Sequence, residues 1–282
     1  MQQVATGYGL VEGPTWDASK GLYFSDVIGG GVFLLGRDGS VSTVVPKRRG
    51  VGGIALHADG GLVVGGRDIA HVRLGSLETN VLLDTAHANG ATGFNDLTTD
   101  AAGRIYVGSL AFRIFGGEEM KPGYLWMIDL DGSVHQVSDG ILVTNGLGVS
   151  PDGSRLYHCD ARRELIRVHD VKADGTLGHW KCFAHMGVGS VPDGLKVAAD
   201  GSVMVADAHG GRVAVFGPDG RHRHDIKVPL PMVTSVCFGG DDLRDLYIVT
   251  GSRGAPTERS GTVFRMRSDV AGVPVASCRV RA

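Results

Sequence analysis

The sequence lacks any long apolar run. None of its hydrophobic stretches is long enough to cross a bilayer, and no basic segment followed by an apolar one marks a secretory leader. It also lacks an excess of one charge, because 28 basic residues stand against 30 acidic ones. The one basic cluster, Lys47-Arg48-Arg49, is typical of a solvated loop. These absences argue against a membrane or nucleic-acid partner, and we expect a cytoplasmic protein.

Cysteine is scarce and dispersed. The four cysteines are Cys159, Cys182, Cys237 and Cys278, and they show neither C-x-x-C nor zinc-finger spacing. We therefore expect reduced thiols packed in the core rather than disulfides or a zinc site.

Glycine, by contrast, is abundant. It occupies 45 of 282 positions, more than twice its usual share of about 7%. There is no G-x-y period, and proline is ordinary, so a collagen-like or disordered chain is excluded. Many glycines between short apolar runs indicate many tight turns joining short strands.

A repeating unit organises these strands. Six times, a polar turn rich in Asp and Gly leads into a short β-type run, as in "DASKGLYFSD" and "SPDGSRLYHC". The central residues of the runs, here called anchors, are Tyr23, Val63, Tyr106, Tyr157, Met204 and Tyr247. Successive anchors lie 40, 43, 51, 47 and 43 residues apart. A period in the forties with about four short strands per unit is typical of a β-propeller.

We therefore predict an all-β fold, a six-bladed β-propeller with four-stranded blades, formed by residues 1–282 as a single domain. The alternative, two β-sandwiches, would need a linker and a change in composition, and the sequence has neither. We expect a strand from the first ten residues to pair with the last blade and close the ring, although the sequence leaves open which terminus contributes.

One repeat-equivalent position is polar within apolar surroundings in five of the six repeats. Counting back eleven or twelve residues from each anchor reaches, in order, Glu12, Gly52, Asn95, Asn145, Asp193 and Ser235. This strand should be the innermost of its blade and line the central channel. Two carboxylates and two amides are therefore expected to face one axis from four blades.

Such a set of oxygen atoms favours a divalent cation. Neighbouring carboxylates in a channel repel each other, and a cation removes that repulsion. The absence of Cys and His ligands favours Ca²⁺ first, then Mg²⁺ or Mn²⁺, over Fe²⁺ or Zn²⁺. The alternative is that these side chains bind only water and backbone in a polar channel.

The same stretches resemble the senescence-marker-protein/gluconolactonase/luciferin-regenerating family of six-bladed propellers. The resemblance covers nearly the whole chain and lies in "VEGPTWDASKGLYFSDV", "FNDLTTDAAGRIYVGSL", "NGLGVSPDGSRLYHCDA", "PDGLKVAADGSVMVADAHGGRVAVFGPDG" and "TSVCFGGDDLRDLYIVT". Any one of these is weak evidence, but five in the family's order and spacing form a strong signal.

The resemblance implies one divalent metal ion in the channel and hydrolysis of a small-molecule lactone. The family binds its metal through the Glu of E-G-P, the Asn of N-G-L and the Asp of P-D-G, which here are Glu12, Asn145 and Asp193. It implies that Asn95, in the N-D motif, contacts substrate or a bound water. Its best-known members hydrolyse lactones of sugar acids.

Two positions depart from the family's pattern. Members that act on sugar lactones often carry Arg two residues before the Asn of N-D, where this chain has Gly93, and often Ser where it has Ala161. Loss of the guanidinium removes a device that recognises polyol hydroxyls. Gluconolactone itself is therefore in doubt, while the metal centre is untouched.

The 110–123 loop is expected to compensate, or to act as a lid that favours a less hydroxylated, partly apolar lactone. Its polar candidates for binding substrate are Arg113, Glu118 and Glu119, and its apolar ones are Phe112, Ile114 and Phe115. An ordinary surface insertion is the alternative.

The expected mechanism uses the ion as a Lewis acid and Asp193 as general base. Because metal binding lowers the basicity of a carboxylate, Asp96 or a second water is expected to relay the proton. Asn95 would orient the substrate. His209, which follows an anchor strand, is the histidine nearest to a possible site, although a structural role is favoured.

Two rival functions remain. The first is organophosphate hydrolysis, resembling diisopropyl fluorophosphatase, in which Asp193 would attack phosphorus directly. The second is a non-catalytic propeller that serves as a scaffold or a metal-dependent binder. A serine hydrolase is disfavoured because G-x-S-x-G is absent.

Overall fold

The chain folds into a ring of six four-stranded antiparallel sheets, so the prediction of a six-bladed propeller is confirmed. The computed structural model describes residues 1–88, 90–114 and 116–281. Within these residues the helical structure is limited to one 3₁₀ turn at Ala161–Arg163, and no helix is long and apolar enough to span a membrane.

The strands follow one another in chain order, blade by blade. After β1 (Gln2–Tyr8), blade 1 comprises β2 (Val11–Asp17), β3 (Gly21–Asp26), β4 (Val32–Gly36) and β5 (Val41–Val45). Blade 2 comprises β6 (Ile54–Leu56), β7 (Leu62–Val64), β8 (Ile69–Val72) and β9 (Thr79–Leu83). Blade 3 comprises β10 (Gly93–Thr99), β11 (Ile105–Leu110), β12 (Gly123–Ile128) and β13 (Val134–Ile141).

The second half of the ring has the same order. Blade 4 comprises β14 (Thr144–Val149), β15 (Arg155–Asp160), β16 (Leu165–Asp170) and β17 (Lys181–His185). Blade 5 comprises β18 (Pro192–Val197), β19 (Val203–Asp207), β20 (Arg212–Phe216) and β21 (His222–Lys227). Blade 6 comprises β22 (Val233–Gly239), β23 (Asp245–Thr250) and β24 (Gly261–Arg267).

The N-terminal strand closes the ring. β1 pairs with β24 as the outermost strand of blade 6, which confirms the expected pairing of the first ten residues with the last blade. The first and last segments of the chain thus share one sheet, which joins the two ends of the chain and closes the ring.

The core lies between the blades rather than at the centre of the ring. Six apolar clusters each join two adjacent blades. Every anchor residue belongs to one of them, as Tyr23 does between blades 1 and 2. The anchor strands are covered on both faces, so β19 reads "VMVAD" and is buried throughout. The outermost strands face solvent, and β21 reads "HRHDIK".

The segment after β24 crosses the end of the channel opposite the candidate site. Its amides bond to carbonyls of three blades: Val273 N to Val197 O (3.1 Å), Cys278 N to Leu56 O (2.7 Å) and Arg279 N to Gly103 O (2.9 Å). These bonds connect blades that are distant in sequence, so we expect the segment to stabilise the ring.

Two smaller expectations were wrong in part. Cys159, Cys237 and Cys278 are buried free thiols, but Cys182 is exposed, because it lies on the outermost strand β17. Arg48 is not a solvated loop residue, since its guanidinium pairs with Asp68 and donates to the Asp68 carbonyl at 3.1 Å.

Candidate active site

One end of the channel opens into a cavity of about 660 Å³. The polar channel residues of four blades line it: Glu12, Asn95, Asn145 and Asp193. The apolar part of its wall comes from two small clusters, one around Leu10 and Met232 and the other around Phe112 and Val143. Four polar side chains therefore meet in a mostly apolar pocket.

Breaks in strand pairing turn these side chains toward the channel. Where β10, β14 and β18 pair with their neighbours, the register skips residues 95–96, 145–146 and 193–194. In β2 the pairing breaks directly after Glu12. A β-bulge frees residues from the ladder and re-aims a side chain. The bulges thus explain why amides and carboxylates interrupt otherwise apolar strands.

Glycines let the innermost strands approach each other closely. A Cβ atom on Gly146 would overlap the backbone of Asp193 and Leu195 on β18. A Cβ atom on Gly52 would overlap the Asn95 side-chain oxygen. Blade 2 therefore has glycine at its channel position because the Asn95 side chain occupies the space.

Hydrogen bonds fix the orientation of both amides. Asn145 Nδ2 donates to the Pro192 carbonyl at 3.1 Å, and Asn145 Oδ1 accepts a bond from Asn95 Nδ2. Asn95 Nδ2 also donates to the Thr144 carbonyl at 2.8 Å. With both nitrogens engaged by protein acceptors, Asn145 keeps an oxygen lone pair for a ligand.

The two carboxyl groups are buried. Glu12 and Asp193 are each 8% exposed, and Glu12 Oε2 is buried with no hydrogen-bond partner among the described residues. Burial raises the pKa of Glu12 well above its usual range, and the charges of Asp193 and Asp96 raise it further. Burial and Asp96 likewise raise the pKa of Asp193, which the charge of Arg253 partly offsets.

These features fit a hard divalent cation. A buried carboxylate oxygen without a partner is costly, and oxygen donors are the ligands that such ions prefer. Within residues 1–88, 90–114 and 116–281, no three His, Cys, Asp or Glu side chains are grouped as metal ligands. The candidate set differs from such a group, because it combines two carboxylates with the Asn145 amide.

Asp96 lies beside the cavity rather than on its surface. It is 7% exposed and is not among the lining residues, and burial raises its pKa to about 6 despite the opposing charge of Lys196. Its charge acts on both Glu12 and Asp193.

The predicted substrate-binding residues of the 110–123 loop lie in different environments. Arg113 lines the cavity, but its Nε lies 3.5 Å from Glu118 Oε1, and both side chains are exposed. Glu118 is not among the lining residues. Phe112 and Ile114 belong to the apolar wall, and Phe115 lies outside the described residues.

Three basic residues that line the cavity were not predicted from the sequence to bind substrate. Arg162, His209 and Arg253 follow the anchor strands of blades 4, 5 and 6, as Arg113 follows that of blade 3. Counting forward from the anchors, rather than only backward, would have found them.

The fold and these residues define a class: a six-bladed propeller in which two carboxyl groups and two amides line a pocket at one end of the channel. Comparison with known proteins places the chain within that class. Residues 10–252 match the family described as the SMP-30/Gluconolactonase/LRE-like region, and the chain belongs to this family.

Relatives of similar length carry enzyme names. A 6-deoxy-6-sulfogluconolactonase from Pseudomonas putida is 32% identical over 93% of this chain and 92% of its own length. The pentonolactonase XacC of Haloferax volcanii is 28% identical over 99% and 97%. The structure of a calcium-binding protein, regucalcin, from Agrobacterium tumefaciens superposes with a TM-score of 0.86, covering 100% of this chain and 97% of that one at 19% identity.

Proposed function

We propose that this protein is a metal-dependent lactonase that opens the ester ring of a sugar-acid-type or less hydroxylated lactone. One observation carries the proposal: carboxyl and amide groups from three blades line one pocket, and one buried carboxylate oxygen there has no partner. The names of the Pseudomonas putida and Haloferax volcanii relatives, both lactonases, support the reaction class. We also infer that residues 1–282 act as one domain in the cytoplasm.

Glu12, Asn145 and Asp193 would hold the ion. When bound, a divalent ion supplies a positive charge that polarises the lactone carbonyl and lowers the pKa of the attacking water. Ca²⁺ is the first candidate, because the donors are all oxygen and the Agrobacterium tumefaciens regucalcin is called a calcium-binding protein. Mg²⁺, Mn²⁺, Fe²⁺ and Zn²⁺ follow.

Side chains of the protein would transfer the proton. Asp193 would accept a proton from the attacking water while the water oxygen bonds to the carbonyl carbon of the lactone. Asp193 would then donate this proton to the ring oxygen as the ester C–O bond breaks. Asp96, buried beside Asp193, is the alternative relay. Asn95, held by Thr144 and Asn145, is positioned to orient the substrate.

The first experiment is a lactone panel followed with a pH indicator. The protein is stripped with chelator and reloaded with one ion at a time. We expect no turnover without metal, and turnover of at least one lactone with Ca²⁺ or another divalent ion. Hydrolysis of diisopropyl fluorophosphate but of no lactone would favour the organophosphate alternative, and no turnover of any substrate would favour a scaffold.

The second experiment changes Asp193. We expect Asp193→Ala to abolish both tight metal binding, measured by calorimetry, and turnover. Glu78→Gln is the matched control, because its carboxylate is 73% exposed between β8 and β9. A metal-loaded Asp193→Ala protein with near-wild-type rate would refute the assignment.

A further inference from the structure

The mouth of the cavity is basic along one side. The loops after the anchor strands of blades 3, 4, 5 and 6 each add one basic side chain, in order Arg113, Arg162, His209 and Arg253. The corresponding loop of blade 1 adds Val27 instead. Among the described residues, the acidic groups that line the cavity are Glu12 and Asp193, which the proposed ion neutralises. The mouth is therefore left with a positive field.

Two of these arginines are free to bind a ligand. Arg113 is engaged with Glu118. In the described part of the chain, Arg162 and Arg253 form no salt bridge, and both are exposed. Their neighbours differ: Arg163 pairs with buried Asp160 at 2.7 Å, and Arg212 pairs with buried Asp207 at 3.1 Å. Arg163 and Arg212 are thus paired with buried carboxylates, whereas Arg162 and Arg253 have no carboxylate partner among the described residues.

Arg253 keeps most of its hydrogen-bonding capacity for a ligand. Its Nη2 lies 3.4 Å from the Ala208 carbonyl, a weak contact that leaves most of its N–H donors unused. Its guanidinium and the Asp193 carboxyl group line the same cavity. A ligand at Asp193 can therefore extend toward Arg253.

We propose that Arg253, assisted by Arg162, binds an anionic substituent of the substrate. The preferred lactone then carries a carboxylate, sulfonate or phosphate group remote from its ring carbonyl. A guanidinium matches such oxyanions through paired, charge-assisted hydrogen bonds. The apolar walls would pack the ring, and Gly93 leaves no guanidinium for hydroxyls at that position. This inference rests on the proposed lactonase function.

The experiment compares a neutral lactone with its anionic counterpart, glucono-1,5-lactone with the 6-phosphate of the same lactone, on metal-loaded protein. We expect the wild-type protein to favour the phosphate. Arg253→Gln should lower the ratio of kcat/KM for the phosphate to kcat/KM for the neutral lactone about 10- to 100-fold. Arg253→Lys should recover part of the loss. Arg259→Gln is the matched control, since Arg259 is exposed in the same loop and does not line the cavity.

Equal losses for both lactones in Arg253→Gln would overturn the inference, because they would show that Arg253 acts only on Asp193 or on folding. A wild-type protein without preference for the phosphate would also overturn it. A binding measurement separates this inference from the proposed function. Glucitol 6-phosphate that binds more tightly than glucitol, in an Arg253-dependent way, would support anion recognition even if no lactone were hydrolysed. Equal binding of the two would refute it.

Discussion

Removing the charge of Asp96 should stabilise the metal-free protein, and the gain should grow with pH. Asp96 is buried, and its pKa rises from the ordinary 3.8 to about 6. A carboxyl group whose pKa is higher in the folded state binds more protons when the protein is folded. Its favourable contribution to the free energy of unfolding is therefore fully present below about pH 4. That contribution is lost as the pH rises through about 6. The rise in pKa corresponds to about 3 kcal/mol.

Asp96→Asn keeps the shape of the side chain and removes this cost. Glu12 and Asp193 also lose one negative neighbour, which adds to the effect above pH 6. For a chain of this size, about 3 kcal/mol corresponds to a midpoint shift of about 6 to 12 °C. The difference in melting temperature between Asp96→Asn and wild type should therefore be small near pH 4 and reach this size near pH 8.

The assay is thermal unfolding in excess chelator from pH 4 to pH 8, with the variant and wild type measured side by side. Taking the difference removes the pH dependence of the groups that do not interact with Asp96. Glu78→Gln, which removes an exposed carboxylate, is the control and should show a flat difference. A flat or falling difference for Asp96→Asn would refute the claim that burial of this charge destabilises the metal-free pocket.

Three other outcomes follow from the packing. Arg167→Met should destabilise the protein by about 3 kcal/mol, because Arg167 is 1% exposed and its Nη2 bonds buried Asp160 at 2.6 Å. The loss should appear as a lower urea midpoint, and an unchanged midpoint would contradict this prediction. Gly194→Ala should lower the free energy of unfolding by about 1–3 kcal/mol, because the added methyl group overlaps Ser235 on the innermost strand of the next blade. An unchanged melting temperature would show that the two strands can move apart at no cost. In native protein one thiol should react rapidly with Ellman's reagent, and Cys182→Ser should abolish that reaction, since the other three cysteines are buried. Persistence of the fast phase in the variant would show that a buried thiol is reached.

The polar channel positions could be predicted from the sequence because the structural unit repeats. Each blade buries both faces of its anchor strand against its neighbours, so the apolar pattern recurs and positions can be compared around the ring. That comparison selected Glu12, Asn95, Asn145 and Asp193, which the structure brings to one cavity. The family resemblance then implied that Glu12, Asn145 and Asp193 are the metal ligands. Their assignment as metal ligands stays a prediction. The bulges that aim these side chains leave a trace in the sequence, because glycine or a second polar residue follows each of them.

The loops were less predictable, because no period governs them. Arg113 and Glu118 looked equivalent in the sequence, yet only Arg113 lines the cavity. Arg253 had no distinguishing motif, and its place at the mouth follows from how blade 6 packs beside blade 5.

The sequence by itself determined the number of blades, the position of the innermost strand and the polar residues on it, since local strand and turn preferences repeat with every unit. Only the tertiary structure decided which loops meet at the mouth, which arginines remain without a carboxylate partner and which thiol reaches solvent. Those properties depend on segments far apart in the chain, and the ring geometry brings them together only after the blades have packed.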